Sequence, residues 1–183
     1  MTLAIIIIAA LIAAAIIGYV LLAARRKRHT GELKGQFGTE YDRTVAASGG
    51  RKQAEQDLSA RQERVDQLQI RPLEETQRRD YVERWHTIQV RFVDDPGTSV
   101  RDADRLISDV MTARGYPMAA WDQRAADVSV DHPEVVANYR AGHNISQAME
   151  AGKATTEQLR QAMVHYRTLF EDLLAPEAVA ARS

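Results

Sequence analysis

The chain has 183 residues, a formal net charge of −1 at pH 7 and no cysteine, and its length accommodates one ordinary domain with short appendages. A net charge this close to zero argues against a nucleic-acid-binding domain, which normally carries a basic field. The absence of cysteine excludes a disulfide framework and a thiolate site.

Residues 3–24 form an apolar segment without any charged side chain, LAIIIIAALIAAAIIGYVLLAA. As a helix that rises about 1.5 Å per residue, the segment is about 33 Å long and can cross a hydrocarbon core of about 30 Å. A cleaved signal peptide is the alternative, but no basic side chain precedes the segment, and it is longer than a typical signal-peptide core. We therefore predict a retained, single-pass transmembrane helix over residues 3–24.

A basic cluster follows the apolar segment directly: Arg25, Arg26, Lys27 and Arg28. Since Lys and Arg beside a span favour the cytoplasmic side, the cluster predicts an N-terminus outside the cell membrane and a cytoplasmic C-terminal domain. The reverse topology, with the domain outside, is the alternative. The cluster is also predicted to contact the membrane surface, because anionic headgroups attract basic side chains. The lipid bilayer is thus the first predicted partner.

Residues 25–50 are predicted to form a basic juxtamembrane segment that ends in a hinge at the two glycines of residues 49–50. Three earlier glycines are expected to interrupt any helix here, because glycine costs about 1 kcal/mol relative to alanine in a helix interior. They are Gly31, Gly35 and Gly38. An apolar stripe then predicts a short helix that either lies on the membrane surface or packs on the rest of the protein. Its members are Phe37, Tyr41 and Val45.

Residues 51–70 are rich in charged and amide side chains and are predicted to form a helical stalk. Five positions fall on a spacing of four and three residues that imitates a coiled-coil seam. They are Ala54, Leu58, Arg61, Val65 and Leu68. The seam covers only about two heptads, whereas a convincing coiled coil needs at least about three. A spacer is therefore the main interpretation, and a homo-oligomer formed through the stalk is the alternative.

Residues 71–175 are predicted to form a soluble bundle of about four main helices. The first spans about 74–93, with one apolar face, and ends before the Asp95–Pro96 pair, because the residue before proline is pushed out of the α region. Asp95 and Pro96 then suit the N-cap and first position of the second helix. Gly115 suits a left-handed C-terminal position that ends it.

A short helical turn is expected over residues 118–126, and the third main helix is expected from about 131 to 151. Asp131 and Glu134 are spaced almost as in a capping box at its start. Thr155 and Gln158 give the last helix a similar cap, and its apolar stripe is the clearest in the chain. Residues 176–183 are predicted to be a flexible tail. No alternating run bounded by hairpin turns occurs, so the fold class is predicted to be all-α.

Motifs for catalysis, metal binding or cofactor binding are not found. The histidines lack the i, i+4 pairing with glutamate that marks a helical zinc site, and the acidic stretch 94–109 lacks the register of a calcium loop. One group is a candidate pocket, because two consecutive helices could bring its members together. The group consists of Tyr139, His143, His165 and Tyr166. The competing interpretation is that these residues fill a partly polar helix interface.

Several strings in the second half of the chain occur together after Trp85. They are FVDDP at 92–96, RGYP at 114–117, SVDHP at 129–133, NYR at 138–140 and LRQAMVHYRTLF at 159–170. With this set the chain resembles a family of small, mainly actinobacterial proteins that have one N-terminal transmembrane span and a helical soluble domain. The likeness covers nearly all of the chain after the apolar segment. It implies no activity, so no functional residue is carried over from it.

These observations predict a membrane-anchored helical interaction or scaffold module with an unidentified protein partner, and not an enzyme. The alternative is a ligand-sensing or enzymatic helical domain built around the candidate pocket. No cofactor, metal or catalytic residue is assigned in either case.

Overall fold

The structure, a computed structural model, describes the backbone of residues 2–175 and the side chains of residues 16–175. In that part of the chain, helices are the sole regular elements, which confirms the all-α prediction. They are α1 (Thr2–Phe37), α2 (Thr39–Ala47), α3 (Arg51–Asp66), α4 (Glu75–Arg91), α5 (Pro96–Arg114), α6 (Trp121–Asp131), α7 (Val136–Glu150) and α8 (Thr156–Leu174). The tail predicted for 176–183 lies outside the described residues.

The larger hydrophobic core is enclosed by α4, α5, α7 and α8, with one side covered by α6. The apolar stripes found in the sequence point into this core. Trp85 of α4 stacks on Phe170 of α8 with ring centroids 4.8 Å apart, a geometry that adds to the burial of two large side chains. The predicted helical bundle is therefore confirmed, with five helices between residues 75 and 174.

Three helix ends follow the sequence signals. The carboxylate of Asp95 accepts a hydrogen bond from the backbone N–H of Thr98 at 3.1 Å, which caps α5. At the other end of α5, Gly115 adopts a left-handed conformation with φ of 103°. Thr155 and Gln158 form the predicted capping box at the start of α8. These ends were predictable because each cap is made within a few residues.

The boundary between α6 and α7 was predicted wrongly. Residues 121–131 form one continuous helix, so Asp131 ends α6 and does not cap α7, which starts only at Val136 without a side-chain cap. The reason is the tertiary packing of α6. Val128 and Val130 are buried, and Asp127 has no exposed surface, so packing of α6 stabilises its last turn beyond what the local cap signal indicates.

The expected break at Gly31 and Gly35 is also wrong, since α1 continues without interruption to Phe37. Both glycines lie where an added Cβ would meet open space, so they mark no close packing. Leu33 and Phe37, by contrast, are almost fully buried. Burial of a large apolar side chain contributes about 1.5–3 kcal/mol, which outweighs about 1 kcal/mol for a glycine. Only Gly38, with φ of 49°, separates α1 from α2.

The predicted stalk is helical but does not stand apart from the domain. α3 packs on α1, α2 and α6, and together these helices enclose a second, smaller core. The face that imitates a coiled-coil seam is the buried face of α3, with Ala54 and Leu58 fully buried. Because this face is buried within the chain, a homo-oligomer through the stalk would first require α3 to leave the smaller core.

No helix in the described part of the chain combines the length and the apolar composition needed to cross a membrane. The side chains of residues 3–15, which belong to the predicted transmembrane segment, lie outside the described ones.

Candidate functional site

A groove lies between α1 and α3 on the surface of the described residues. Its volume is about 920 Å³, within the range of roughly 300–1,000 Å³ found for ligand pockets. The side chains of Arg26 and Lys27 line it from α1, and those of Arg51 and Lys52 line it from α3. We call this feature the basic groove.

Hydrogen bonds between polar side chains hold the walls of the basic groove together. Glu55 of α3 accepts hydrogen bonds from the hydroxyl groups of Thr30 and Tyr41, each at 2.8 Å. Ser59 of α3 lies 3.2 Å from His29 Nε2. These contacts join α3 to both α1 and α2, so the four basic side chains of the groove project from one connected unit.

The basic groove has an excess of positive charge. Its lining includes four Arg and Lys side chains but only two carboxylates, Glu55 and Glu63. Among the ion pairs formed by the described residues, none involves Arg26, Lys27, Arg51 or Lys52. Glu55 keeps its negative charge and interacts with Arg51, so the lining carries a net excess of positive charge but not four free cations.

A second polar cluster fixes the position of α3. The carboxylate of Glu40 is only 2% exposed and accepts hydrogen bonds from Arg43, Arg61 and Arg140, on α2, α3 and α7, at 2.7–3.0 Å. Burial alone would raise the pKa of Glu40, but the hydrogen bonds and charges of the three guanidinium groups outweigh it and hold the pKa below its ordinary value. We call this the Glu40 cluster, and it joins the smaller core to the bundle.

Another ion pair joins α3 to α6. Arg64 of α3 donates to the fully buried carboxylate of Asp127 at 2.9 Å, and Gln123 donates to the same oxygen at 2.8 Å. Together with the Glu40 cluster, this contact holds α3 in the position in which Arg51 and Lys52 line the groove with Arg26 and Lys27. Neither buried carboxylate was singled out from the sequence, because nothing local marks a glutamate or aspartate as buried.

Three of the four candidate pocket residues come together. Tyr139 and Tyr166 are fully buried, and the hydroxyl of Tyr166 donates to Asp104 at 3.0 Å. His143 Nδ1 lies 3.9 Å from the same carboxylate. Trp121 stacks on His143 with centroids 4.0 Å apart. Burial raises the pKa of both tyrosines and lowers that of His143.

His165 is held outside this group by a 2.8 Å hydrogen bond between its Nδ1 and the side-chain oxygen of Asn138. The tyrosine side chains fill the space between α5, α7 and α8, and Trp121 and His143 cover them. The cluster fills a helix interface in which Tyr166 is hydrogen-bonded to Asp104. The Tyr139 hydroxyl, Trp121 Nε1 and His143 Nδ1 are buried there without a hydrogen-bond partner among the described residues.

Among the described residues, no group of three or more His, Asp and Glu side chains is arranged to hold a metal ion. The sequence indicated Arg26 and Lys27 as basic residues beside an apolar segment. It did not indicate Arg51 and Lys52, because their approach to α1 depends on the docking of α3.

Comparison of the chain with protein-family models, with curated proteins and with solved structures finds no match. The resemblance to small actinobacterial membrane proteins thus stays an expectation from the sequence.

Proposed function

We propose that this chain is a membrane-anchored helical interaction module, with residues 3–24 in the bilayer and the helical domain on the cytoplasmic side. The continuity of α1 carries the proposal. One end of this helix presents exposed apolar side chains, such as Tyr19 at 74% and Leu22 at 58% exposure, whereas Leu33 and Phe37 near its other end are buried in the smaller core. A continuous helix couples an anchor to the domain more rigidly than a glycine hinge would.

The charge pattern supports the proposed orientation. The four basic residues from Arg25 to Arg28 are exposed and immediately follow the apolar segment, where Lys and Arg favour the cytoplasmic side. In this orientation they lie at the level of the headgroups, and the apolar residues 16–22 lie among acyl chains. The reverse orientation would require moving this cluster across the bilayer.

Topology is the first test. Fusions of the full chain at Ser183 to one reporter active only in the cytoplasm, and to another active only outside, are expected to give signal from the cytoplasmic reporter alone. As a control, replacing residues 25–28 with four glutamates is expected to weaken or reverse this preference, since the positive-inside rule acts through these charges. Signal from the external reporter with the unaltered chain would contradict the proposed sidedness.

A surface on α4 supports the interaction part of the proposal. Val82 and Val90, and Val93 just after the helix, are 50%, 60% and 84% exposed. Val82 and Val90 are about 12 Å apart along the helix axis, so a partner segment that lies along α4 can contact both. The tyrosine–histidine cluster gives no comparable support to a ligand-sensing or enzymatic domain, because its tyrosines are fully buried.

Site-specific photocrosslinking tests the α4 surface. A photoreactive residue at Val90 of the full-length protein in its own membrane is expected to give one reproducible protein adduct. The same residue at Arg167, which is 58% exposed on α8, serves as the control and is expected to give none. Val82→Asp and Val93→Asp should together abolish the Val90 adduct. An adduct that persists in this double variant, or no adduct at all, would contradict an interaction through α4.

A further inference from the structure

We infer that the basic groove between α1 and α3 binds the headgroup of an anionic phospholipid. The inference rests on the proposed anchoring of residues 3–24 and adds a ligand to it. It starts from the four basic side chains that two separate helices contribute to one concave surface, Arg26 and Lys27 from α1 and Arg51 and Lys52 from α3.

The charge of the groove selects an anion. Other arginines of the second core are neutralised: Arg61 by Glu40 and Asp57, and Arg64 by Asp127. The four groove residues form no ion pair within 4 Å among the described residues, and they outnumber the two carboxylates of the lining, Glu55 and Glu63. Guanidinium and ammonium groups arranged around a concave surface suit a phosphate, because each can donate several charge-assisted hydrogen bonds to its oxygens.

An apolar surface on α1 that continues from the groove favours a lipid over a soluble phosphate as the ligand. Residues 19, 22, 26 and 30 recur at spacings of three and four and therefore share one face of this helix. Arg26 and Thr30 of that face line the groove, and Leu22 and Tyr19 continue it as exposed apolar surface one and two turns nearer the N-terminus. A ligand with an anionic head and apolar chains can occupy both parts of this face at once.

Polar groups in the groove also suit a glycerol headgroup. Gln56 of α3 is an exposed amide, and Ser59 with His29 supplies a hydroxyl and an imidazole beside it. These groups can hydrogen-bond neutral hydroxyls while the basic residues hold the phosphate. A headgroup with a quaternary ammonium, as in phosphatidylcholine, would instead bring a positive charge into a basic site.

The test measures lipid retention by the full-length chain. Native mass spectrometry of the protein in neutral detergent, titrated with phosphatidylglycerol, is expected to show a saturable one-lipid adduct. Phosphatidylcholine with the same acyl chains is expected to bind at least about tenfold more weakly. Arg51→Gln with Lys52→Gln should weaken retention of phosphatidylglycerol about 25-fold, because each basic residue beside an anionic headgroup is worth about fivefold.

A matched control separates the groove from overall charge. Arg160→Gln with Arg167→Gln removes the same charge from exposed positions on α8 and is expected to leave retention within about twofold, since neither residue is near the groove. Gln56→Glu keeps every basic residue, adds an acid to the groove, and is expected to weaken retention. If both groove variants retain phosphatidylglycerol like the unaltered protein, the inference is wrong.

The source of the anion is tested separately. Inorganic phosphate or glycerol phosphate, at the concentration that saturates with lipid, is expected to give no adduct and not to displace phosphatidylglycerol. Displacement by either would overturn the assignment to a lipid. The anchor itself is tested by the topology reporters, so loss of lipid selectivity in a chain that still inserts contradicts only the groove assignment.

Discussion

Replacing Glu40 with glutamine is expected to lower the free energy of unfolding of the full-length protein by about 3–5 kcal/mol, the range found when one partner of a buried ion pair is removed. The charge of Glu40 offsets that of three guanidinium groups, Arg43, Arg61 and Arg140. Glutamine keeps the shape of the side chain but removes the carboxylate that the three guanidinium groups share, and among the described residues only Arg61 keeps another ion pair, with Asp57. Urea unfolding followed by circular dichroism, in a mild detergent, measures the change.

Glu157→Gln is the matched control for this substitution. Glu157 pairs with Arg160 one turn away at 2.7 Å, and both side chains are more than half exposed. An exposed pair of this kind contributes little to stability because solvent screens it, so the control is expected to unfold almost like the unaltered protein. If Glu40→Gln and Glu157→Gln have the same small effect, the Glu40 cluster does not hold the two cores together.

Glu40 also makes the free energy of unfolding depend on pH, and the lowered pKa of its carboxyl group gives the direction of that dependence. The pKa of Glu40 in the folded protein is below its ordinary value of 4.5, so its contribution to stability is fully present above that pH. It is lost as the pH falls below 4.5 and through the folded-state pKa, because protonation then favours the unfolded chain. Glu40→Gln should flatten this part of the acid-unfolding curve.

Replacing Gly115 with alanine is the second large effect that we expect. At φ of 103°, a side chain in this left-handed position is strained by about 1–2 kcal/mol. Its Cβ would also overlap the backbone carbonyl oxygen of Gln69. That segment cannot retreat freely, because the N–H of Arg71 donates to the carbonyl of Arg114 at 2.9 Å. Overpacking adds about 1–3 kcal/mol, so unfolding by urea should require markedly less denaturant.

Gly152→Ala distinguishes the clash from the backbone strain. Gly152 also has a positive φ, 67°, but an added Cβ there would meet nothing within 4 Å. This control should therefore show only the conformational part of the loss, about 1–2 kcal/mol. Equal destabilisation by the two substitutions would contradict close packing of residues 69–71 on the end of α5. Leu68 and Ile70 in that linker pack on both hydrophobic cores, so displacement of the linker should affect both.

The sequence alone marks one of the two substituted residues, Gly115, but not the other, Glu40. Gly115 could be assigned from the sequence, because the pattern of an apolar helix followed by Gly, Tyr and Pro is local and its conformational demand belongs to one residue. Glu40 could not. Its partner Arg140 is 100 positions away, and an isolated glutamate on a short helix is usually exposed.

The candidate sites show the same contrast. The residues Arg25 to Arg28 were recognised because a basic run beside an apolar segment has a direct physical meaning. Arg51 and Lys52 resembled any solvated pair until α3 was seen to dock on α1. The grouping of Tyr139, His143 and Tyr166 was anticipated from two consecutive helices, whereas the hydrogen bond between His165 and Asn138 was not.

What the sequence alone determined is what short-range physics controls: the all-α class, the apolar faces of the helices and the caps at Asp95, Gly115 and Thr155. The tertiary structure decided which face meets which. Because of tertiary packing, α1 continues through Gly31 and Gly35, one face of α3 is buried, and α6 extends to Asp131. The physical reason is that caps and periodicity act over a few residues. Burial and ion pairing depend on partners that only the folded chain brings together.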